Sequence, residues 1–462
     1  MGEMFYQPQM PATGKMWDTW LYWHEGTYYL YYLANSGAMW DNVSLATSPD
    51  GVHWKEHGPV LTKEPDVAWM GTGSTWASPD FDRDGKFFMN FSYSQGGQRI
   101  CMAESTDLVN WRPMGAQYCT RPDTRWYKTA DNDTARWDCI FTCPREEGGL
   151  WGYWTASPAA HHGVGHGCSA DGATWEALPP PAIEPPLESP CEHGGVARVG
   201  ETYYHMLGVN GSMIAYTAEA PGGPLVRQQR NSGLLTNNGW GKLHTYFSRF
   251  FHSPDGLLVN HHAIGRQAPV SGPLDRMVYF GLLKRAVFDA DGTMRLAWWA
   301  GNDALKAQAL NIAPPRGAAP GGAAAPRVPG IAMDSFKILA ETLPTSEGII
   351  LEGVIALPPT PSARECGLFI RTGAGEGTAV LLNSAGAARL GQLKLYPGSF
   401  ECEISIDRQY DFGPAPTFRL VLKRDLMEFY LADQLIHCFS LPSAAEGTIG
   451  FIGEVTDLHA WR

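Results

Sequence analysis

At 462 residues, with 47 Asp and Glu against 35 Lys and Arg and a formal net charge of −12, the chain is longer than one core usually serves and lacks the basic stripe that a nucleic-acid backbone requires. Charged residues are only 18%, while Gly, Pro and Trp number 52, 34 and 17, which excludes a coiled coil or a disordered chain and points to a turn-rich, strand-rich globular protein. No apolar run is long enough to span a bilayer, and Met1-Gly2-Glu3-Met4 lacks the basic and apolar segments of a signal peptide, so the sequence as written predicts a cytoplasmic protein with neither nucleic-acid nor membrane partner. The nine cysteines show no zinc-ligand spacing; reduced thiols, no metal and no cofactor are expected.

The first predicted strands run from Trp17 through Leu21-Tyr22-Trp23, turn at His24-Glu25-Gly26 and continue through Tyr28-Tyr29-Leu30-Tyr31-Tyr32. They close on Ser48-Pro49-Asp50-Gly51-Val52-His53-Trp54, a cadence that returns as Ser105-Thr106-Asp107-Leu108-Val109-Asn110-Trp111 and Ser169-Ala170-Asp171-Gly172-Ala173-Thr174-Trp175, 57 and 64 residues further on. Turn residues and one aromatic per copy, at that period, are the mark of four-stranded propeller blades. A second blade starts near Gly71-Thr72-Gly73-Ser74, a third near Asp138 and a fourth near Glu192, whose closing copy is degenerate. A fifth runs from Asn260-His261-His262 to Leu296-Ala297-Trp298-Trp299.

The stretch 311–330 is mostly Ala, Pro and Gly and reads as a semi-stiff linker. Beyond it the Trp cadence stops, and short strands such as Gly348–Ile355 and Phe418–Leu422 predict a β-sandwich over 331–462. The predicted fold is all-β: a five-bladed β-propeller over 1–310 followed by a β-sandwich.

Three carboxylates stand at the heads of three blades: Asp18 in Trp17-Asp18-Thr19-Trp20, Asp138 in Arg136-Trp137-Asp138-Cys139 and Glu192 in Cys191-Glu192-His193-Gly194-Gly195. The innermost strand of every blade lines one funnel, so these residues converge. Aromatic and small neighbours leave them partly desolvated, and mutual repulsion raises at least one pKa. That is the equipment of a glycosidase: one carboxylate attacks or positions the anomeric carbon, and a protonated one donates to the leaving oxygen. Trp17, Trp20, Trp69, Trp76 and Trp137 cluster at the same blade starts as platforms for sugar faces. Ser74, Arg136, His193, His261 and His262 complete the candidate sugar contacts.

Several motifs carry a family resemblance. Trp69-Met70-Gly71-Thr72-Gly73-Ser74 resembles the tryptophan-containing segment of the fructan-active glycoside hydrolase families 32 and 68. Ser44 to Trp54 is similar to a family 32 segment, Trp17-Asp18-Thr19-Trp20 is closer to the family 68 nucleophile motif, and Arg424-Asp425-Leu426-Met427-Glu428-Phe429-Tyr430 resembles a segment of the family 32 sandwich. The resemblance implies a retaining double displacement on a fructoside, with Asp18 as nucleophile, Asp138 as transition-state stabiliser and Glu192 as acid/base. The sequence also departs from family 32: Trp17 and Thr19 stand where Asn and Pro flank the nucleophile, Trp137 separates Arg136 from Asp138, and Glu192 follows a Cys rather than preceding one. Glu192-His193-Gly194-Gly195 with Tyr203-Tyr204 is similar to the acid segment of the arabinan- and xylan-active family 43.

Each residue has a plainer reading. Asp18 as a turn residue, Glu192 as a surface acid with Glu188 as its rival, and Asp138 with Asp131 and Asp133 as competitors are the structural alternatives; Arg136 is nearly as well read as a surface ion pair. The histidines, without acidic partners at ligand spacing, read as funnel lining rather than metal ligands. The expected function is a β-fructofuranosidase-like hydrolase, with carbohydrate as its partner. Its alternatives are a fructosyltransferase or arabinofuranoside hydrolase on the same fold, a catalytically inactive sugar-binding propeller, and a structural propeller with a filled funnel. The sandwich either braces the propeller or contributes to a dimer interface.

Overall fold

The three-fold cadence of the sequence is a turn with a fixed hydrogen-bond pattern. Ser48 Oγ donates to Asp50 Oδ1 (2.9 Å) and accepts from the Gly51 N–H (2.8 Å), while Asp50 Oδ1 accepts from the His53 N–H (2.8 Å). Ser105 with Asp107, and Ser169 with Asp171, repeat the same bonds. Short polar side chains capturing backbone N–H groups two and three residues on make these turns self-sufficient. Burial alone would raise the Asp50 carboxyl, but the His53 and Val52 N–H bonds outweigh it and pull the group down to about 2. The Trp residues ending the second and third copies wedge between blades: Trp111 meets Tyr31 edge-on at 5.9 Å and Trp175 meets Trp76 at 5.8 Å.

This computed structural model describes residues 4–37, 39–129, 135–265, 277–317, 328–358 and 364–462. They fall into two compact units, the first made of 1–235, 246–262 and 278–286 and the second of 236–245, 263–277 and 287–462. The fold is a five-bladed β-propeller followed by a β-sandwich.

In the first unit, antiparallel four-stranded blades are built on Lys15–His24, Trp69–Ala77 and Trp137–Pro144, and a larger fourth on Cys191–Val199. The fifth starts at Arg249–Ser253 and continues through Gly256–Asn260, earlier than the expected start at Asn260. Stacking buries both faces of a blade, so Thr27–Asn35 is buried along most of its length and reads TYYLYYLAN rather than alternating. Four innermost strands lose register near their first residues: at Trp17/Thr19, at Gly71/Ser74, at Cys139 opposite Trp154/Thr155, and at His193/Gly195. Such bulges turn side chains off the strand's own faces and into the channel.

The second unit stacks two sheets. One runs Met294–Trp298, Gln434–Ser440, Leu426–Leu431, Thr417–Lys423, Ile349–Ile355, Val455–Trp461; the other runs from Phe336–Ile338 through Ile449–Ile452 and Cys366–Gly373 to Ser399–Asp407. Alternate residues such as Ile349, Leu351, Leu368, Ile370, Leu420, Leu422 and Phe451 form its core. Met294–Trp298, expected to close the fifth blade, stands next to Lys284–Phe288 in the sheet order Arg249–Ser253, Gly256–Asn260, Lys284–Phe288, Met294–Trp298, and pairs on its other edge at Ala297↔Gln434. Of the expected linker, Arg316–Gly317 pairs with Phe336–Ile338, while 318–327 lie outside the described residues, as do Asp131 and Asp133. Cys101 and Cys119 form a disulfide within the second blade, contrary to the expectation of fully reduced thiols. No helix among the described residues is long and apolar enough to cross a membrane.

Candidate active site

The bulged starts of the innermost strands face a cavity of about 360 Å³ whose lining includes Asp18, Asp138, Glu192, Arg136, Trp17, Trp40 and Trp69. Asp18 occupies the bulge of Lys15–His24 with φ 39°. Its carboxyl is pushed up to about 7: burial is the main cause, Glu192 and Asp138 add to it, and Arg249 and Arg136 oppose it. Asp138 is buried; it accepts from Ser92 Oγ and from Arg136 Nη2 (3.2 Å). Gly71 makes room for it, since a Cβ there would stand 2.9 Å from Asp138 Oδ1. Glu192 accepts from Arg136 Nη1 (2.9 Å) and from the Tyr246 hydroxyl. One guanidinium therefore spans two of the three carboxylates with separate arms, a geometry that fixes both.

Of the aromatic candidates, Trp17 and Trp69 line this cavity. Trp17 stacks on Trp40 (6.3 Å) and leans on His262 (5.1 Å). The others lie elsewhere, because consecutive strand residues point to opposite faces and two residues along a strand is a full pleat down the channel. Trp20 is buried between the first two blades with Nε1 on Thr75 Oγ1 (3.0 Å). Trp76 bonds the Gly172 carbonyl (3.0 Å), Ser74 bonds the Ile140 carbonyl, and Trp137 packs on Tyr127 and Trp154 with Nε1 on Thr120 Oγ1 (3.0 Å). His193 is fully buried against His205, with Nε2 3.1 Å from Nδ1, and burial holds it well below the usual histidine range. His261 lies 2.6 Å from Lys284 Nζ. His262 accepts the Thr19 N–H at 2.9 Å. None of these seven residues lines the acidic cavity.

Sequence reasoning missed Arg249, Tyr246 and Ser92. Arg249 is buried in the fifth blade and approaches Asp18 Oδ1 at 4.0 Å. Tyr246 is buried, and its hydroxyl is raised well above its ordinary value by that burial and by Glu192. Both sit in the run Thr245-Tyr246-Phe247-Ser248-Arg249-Phe250-Phe251, which shows no motif. A separate cavity of about 960 Å³ is lined by later residues of the same innermost strands, among them Trp20, Trp23, Phe141, Arg198 and Arg249. It marks the other end of the channel and holds none of the three carboxylates.

The class of protein defined here is a five-bladed propeller with a C-terminal sandwich and an acidic, tryptophan-walled site at one channel mouth, an architecture similar to that of glycoside hydrolase family 32. Among solved structures, the chain is similar to sucrose-6-phosphate hydrolase from Lactobacillus gasseri (13% identity, TM-score 0.69, covering 100% of this chain and 92% of that one). It is similar also to fructan 1-exohydrolase IIa from Cichorium intybus (13% identity, TM-score 0.68, 100% and 97%) and to a family 32 β-fructofuranosidase from Bombyx mori (12% identity, TM-score 0.67, 100% and 93%). At such identities the likeness establishes the fold. Residues 10–104 match the family model described as Glycosyl hydrolases family 43. No curated protein matches the sequence.

Proposed function

We propose that the protein is a retaining glycoside hydrolase acting on a β-fructofuranoside. The observation that carries this reading is the convergence of Asp18, Asp138 and Glu192, from three separate blades, on one cavity walled by Trp17, Trp40 and Trp69. In the first step an Asp18 oxygen attacks the anomeric carbon while the bond to the leaving oxygen breaks and Glu192 gives that oxygen its proton. In the second, water attacks the same carbon, returns a proton to Glu192 and frees the Asp18 carboxylate. Asp138, fixed by Ser92 and Arg136, holds sugar hydroxyls and places negative charge beside the oxocarbenium-like transition state. A cavity at the small end of ligand sites favours removal of a terminal sugar over cleavage within a chain.

The fructoside assignment is supported by the similar structures, which include a sucrose-6-phosphate hydrolase and a fructan 1-exohydrolase. The match of 10–104 to family 43 favours a second reading on the same machinery, hydrolysis of an arabinofuranoside. The test is release of free sugar from sucrose, short inulin and levan oligomers, arabino-oligosaccharides and nitrophenyl glycosides, beside Asp18→Asn and Glu192→Gln. Turnover of a fructoside, abolished in both folded variants, is the expected result. Turnover of an arabinoside moves the substrate, and no turnover with sugar binding that survives both substitutions overturns the enzyme reading.

A further inference from the structure

Asp18 stands on backbone that cannot hold itself. Its φ of 39° lies in the left-handed region that side-chain-bearing residues avoid, and the next strand of its own blade leaves it without a ladder partner at the bulge. The fifth blade, with His262 just beyond it, grips the next residue instead. Thr19 O accepts from Arg249 Nη1 (2.6 Å) and Asn260 Nδ2 (3.0 Å), and the Thr19 N–H donates to His262 Nε2 (2.9 Å). Arg249 Nη2 also donates to Thr72 Oγ1 (3.0 Å) in the bulge of the second blade. The guanidinium is 1% exposed, lies over the Phe247 and Phe141 rings at 4.9 and 5.6 Å, and has Asp18 Oδ1 at 4.0 Å.

Arg249 lines the large cavity at the far end of the channel, and Asp18 lines the acidic one. The cation therefore reaches the carboxylate from behind, on the side away from the sugar. We propose that Arg249 is the positioning residue and fixed counter-charge of Asp18, fastening the bulge that aims the carboxylate and balancing its charge without touching substrate. This rests on the reading of Asp18 as nucleophile. A guanidinium suits the task because its two separate nitrogens reach acceptors in two blades from a rigid fork, whereas an ammonium offers all its donors from a single nitrogen.

The groups facing Asp18 are Arg249 and Arg136, which favour its charged form, and Asp138 and Glu192, which oppose it. The Cys139 thiol and Tyr246 hydroxyl are neutral neighbours, both raised chiefly by burial. Buried His262 is held far below its usual range, so it carries no charge there. Removing Arg249 thus takes away the largest force keeping the nucleophile ionised.

The experiment uses the full chain. In Arg249→Met the acid limb of kcat/KM on a turned-over glycoside is expected to move at least about one pH unit to the alkaline side, with roughly tenfold or greater loss at pH 7. Arg249→Lys keeps the charge but not the fork, so its limb stays close to that of the native protein while kcat falls. A limb unmoved in folded Arg249→Met, or equally displaced in both variants, overturns the proposal. Should Arg249→Met fail to fold, Arg249→Lys and Arg249→Gln are compared in the same way. A double-mutant cycle of Arg249→Gln with Asp18→Asn, read by urea unfolding, needs no substrate: coupling at pH 8 that vanishes at pH 4 supports the pairing, and none at either pH overturns it. Failure of the native protein on every sugar would instead strike the functional reading, leaving the cycle to decide the pairing.

Discussion

Replacing Asp18 by Asn should make the protein more stable and inactive at once. The ordinary carboxylate value is 3.8 and burial raises Asp18 to about 7. Between those values the unfolded chain has released the proton and the folded chain retains it, so folding stability is full below pH 4, falls as pH rises towards 7 and is flat above. The full interval corresponds to about 4 kcal/mol. The side chain is 20% exposed at the cavity, and water there screens part of the penalty, so a gain of about 2 kcal/mol for Asp18→Asn at pH 8 is expected. Urea unfolding followed by tryptophan fluorescence at pH 4, 6 and 8 measures it. The expected difference is close to zero at pH 4 and grows through pH 6. A difference that does not vary with pH, or a native protein more stable than Asp18→Asn at pH 8, would refute the view that the fold carries a desolvated charge here.

Other outcomes follow from the same geometry. The native protein's kcat/KM should fall below about pH 7 with a slope of one proton, since in the proposed mechanism Asp18 attacks as the carboxylate; a profile flat from pH 5 to 7 would reassign the nucleophile. Gly71→Ala sets a Cβ 2.9 Å from both Asp138 Oδ1 and Ser92 Cβ; about 1–3 kcal/mol of destabilisation and a fall in kcat of tenfold or more are expected, measured by thermal unfolding and initial rates. Tyr246→Phe removes a donor to Glu192 and should lower kcat about tenfold with KM little changed, whereas an equal loss with Phe247→Leu would mark a packing effect.

Much of the architecture was legible because its signals are local. The Ser-x-Asp turn makes its own hydrogen bonds, so Ser48, Ser105 and Ser169 could be read as punctuation without any tertiary knowledge. The three acids stood out for a similar reason: each has uncharged neighbours at the head of a strand. What stayed hidden depends on register and on partners far along the chain. Trp20 and Trp137 are close in sequence to the acids and Trp76 shares the innermost strand of the second blade, but the pleat and the bulges send all three into contacts between blades. Arg249 and Tyr246 meet their carboxylates across 231 and 54 residues respectively. Nothing in an aromatic-rich run says which polar residue within it turns inward. The fifth blade's start was missed because Arg249–Ser253 lies in an aromatic-rich run with no turn signal or Trp cadence to mark it.

The grip of the fifth blade on Thr19 bears on how the molecule is made. On a ribosome the chain's eighteenth residue emerges long before Arg249, Asn260 and His262. Until those residues arrive, nothing holds the Asp18 backbone in its left-handed turn. A chain that ends after four blades carries the turns that bond within themselves but lacks the bonds that hold Thr19, so the proposed nucleophile is not yet aimed. On the proposed role of Asp18, activity is then a late event in biogenesis, and its first appearance during synthesis times the arrival of the fifth blade.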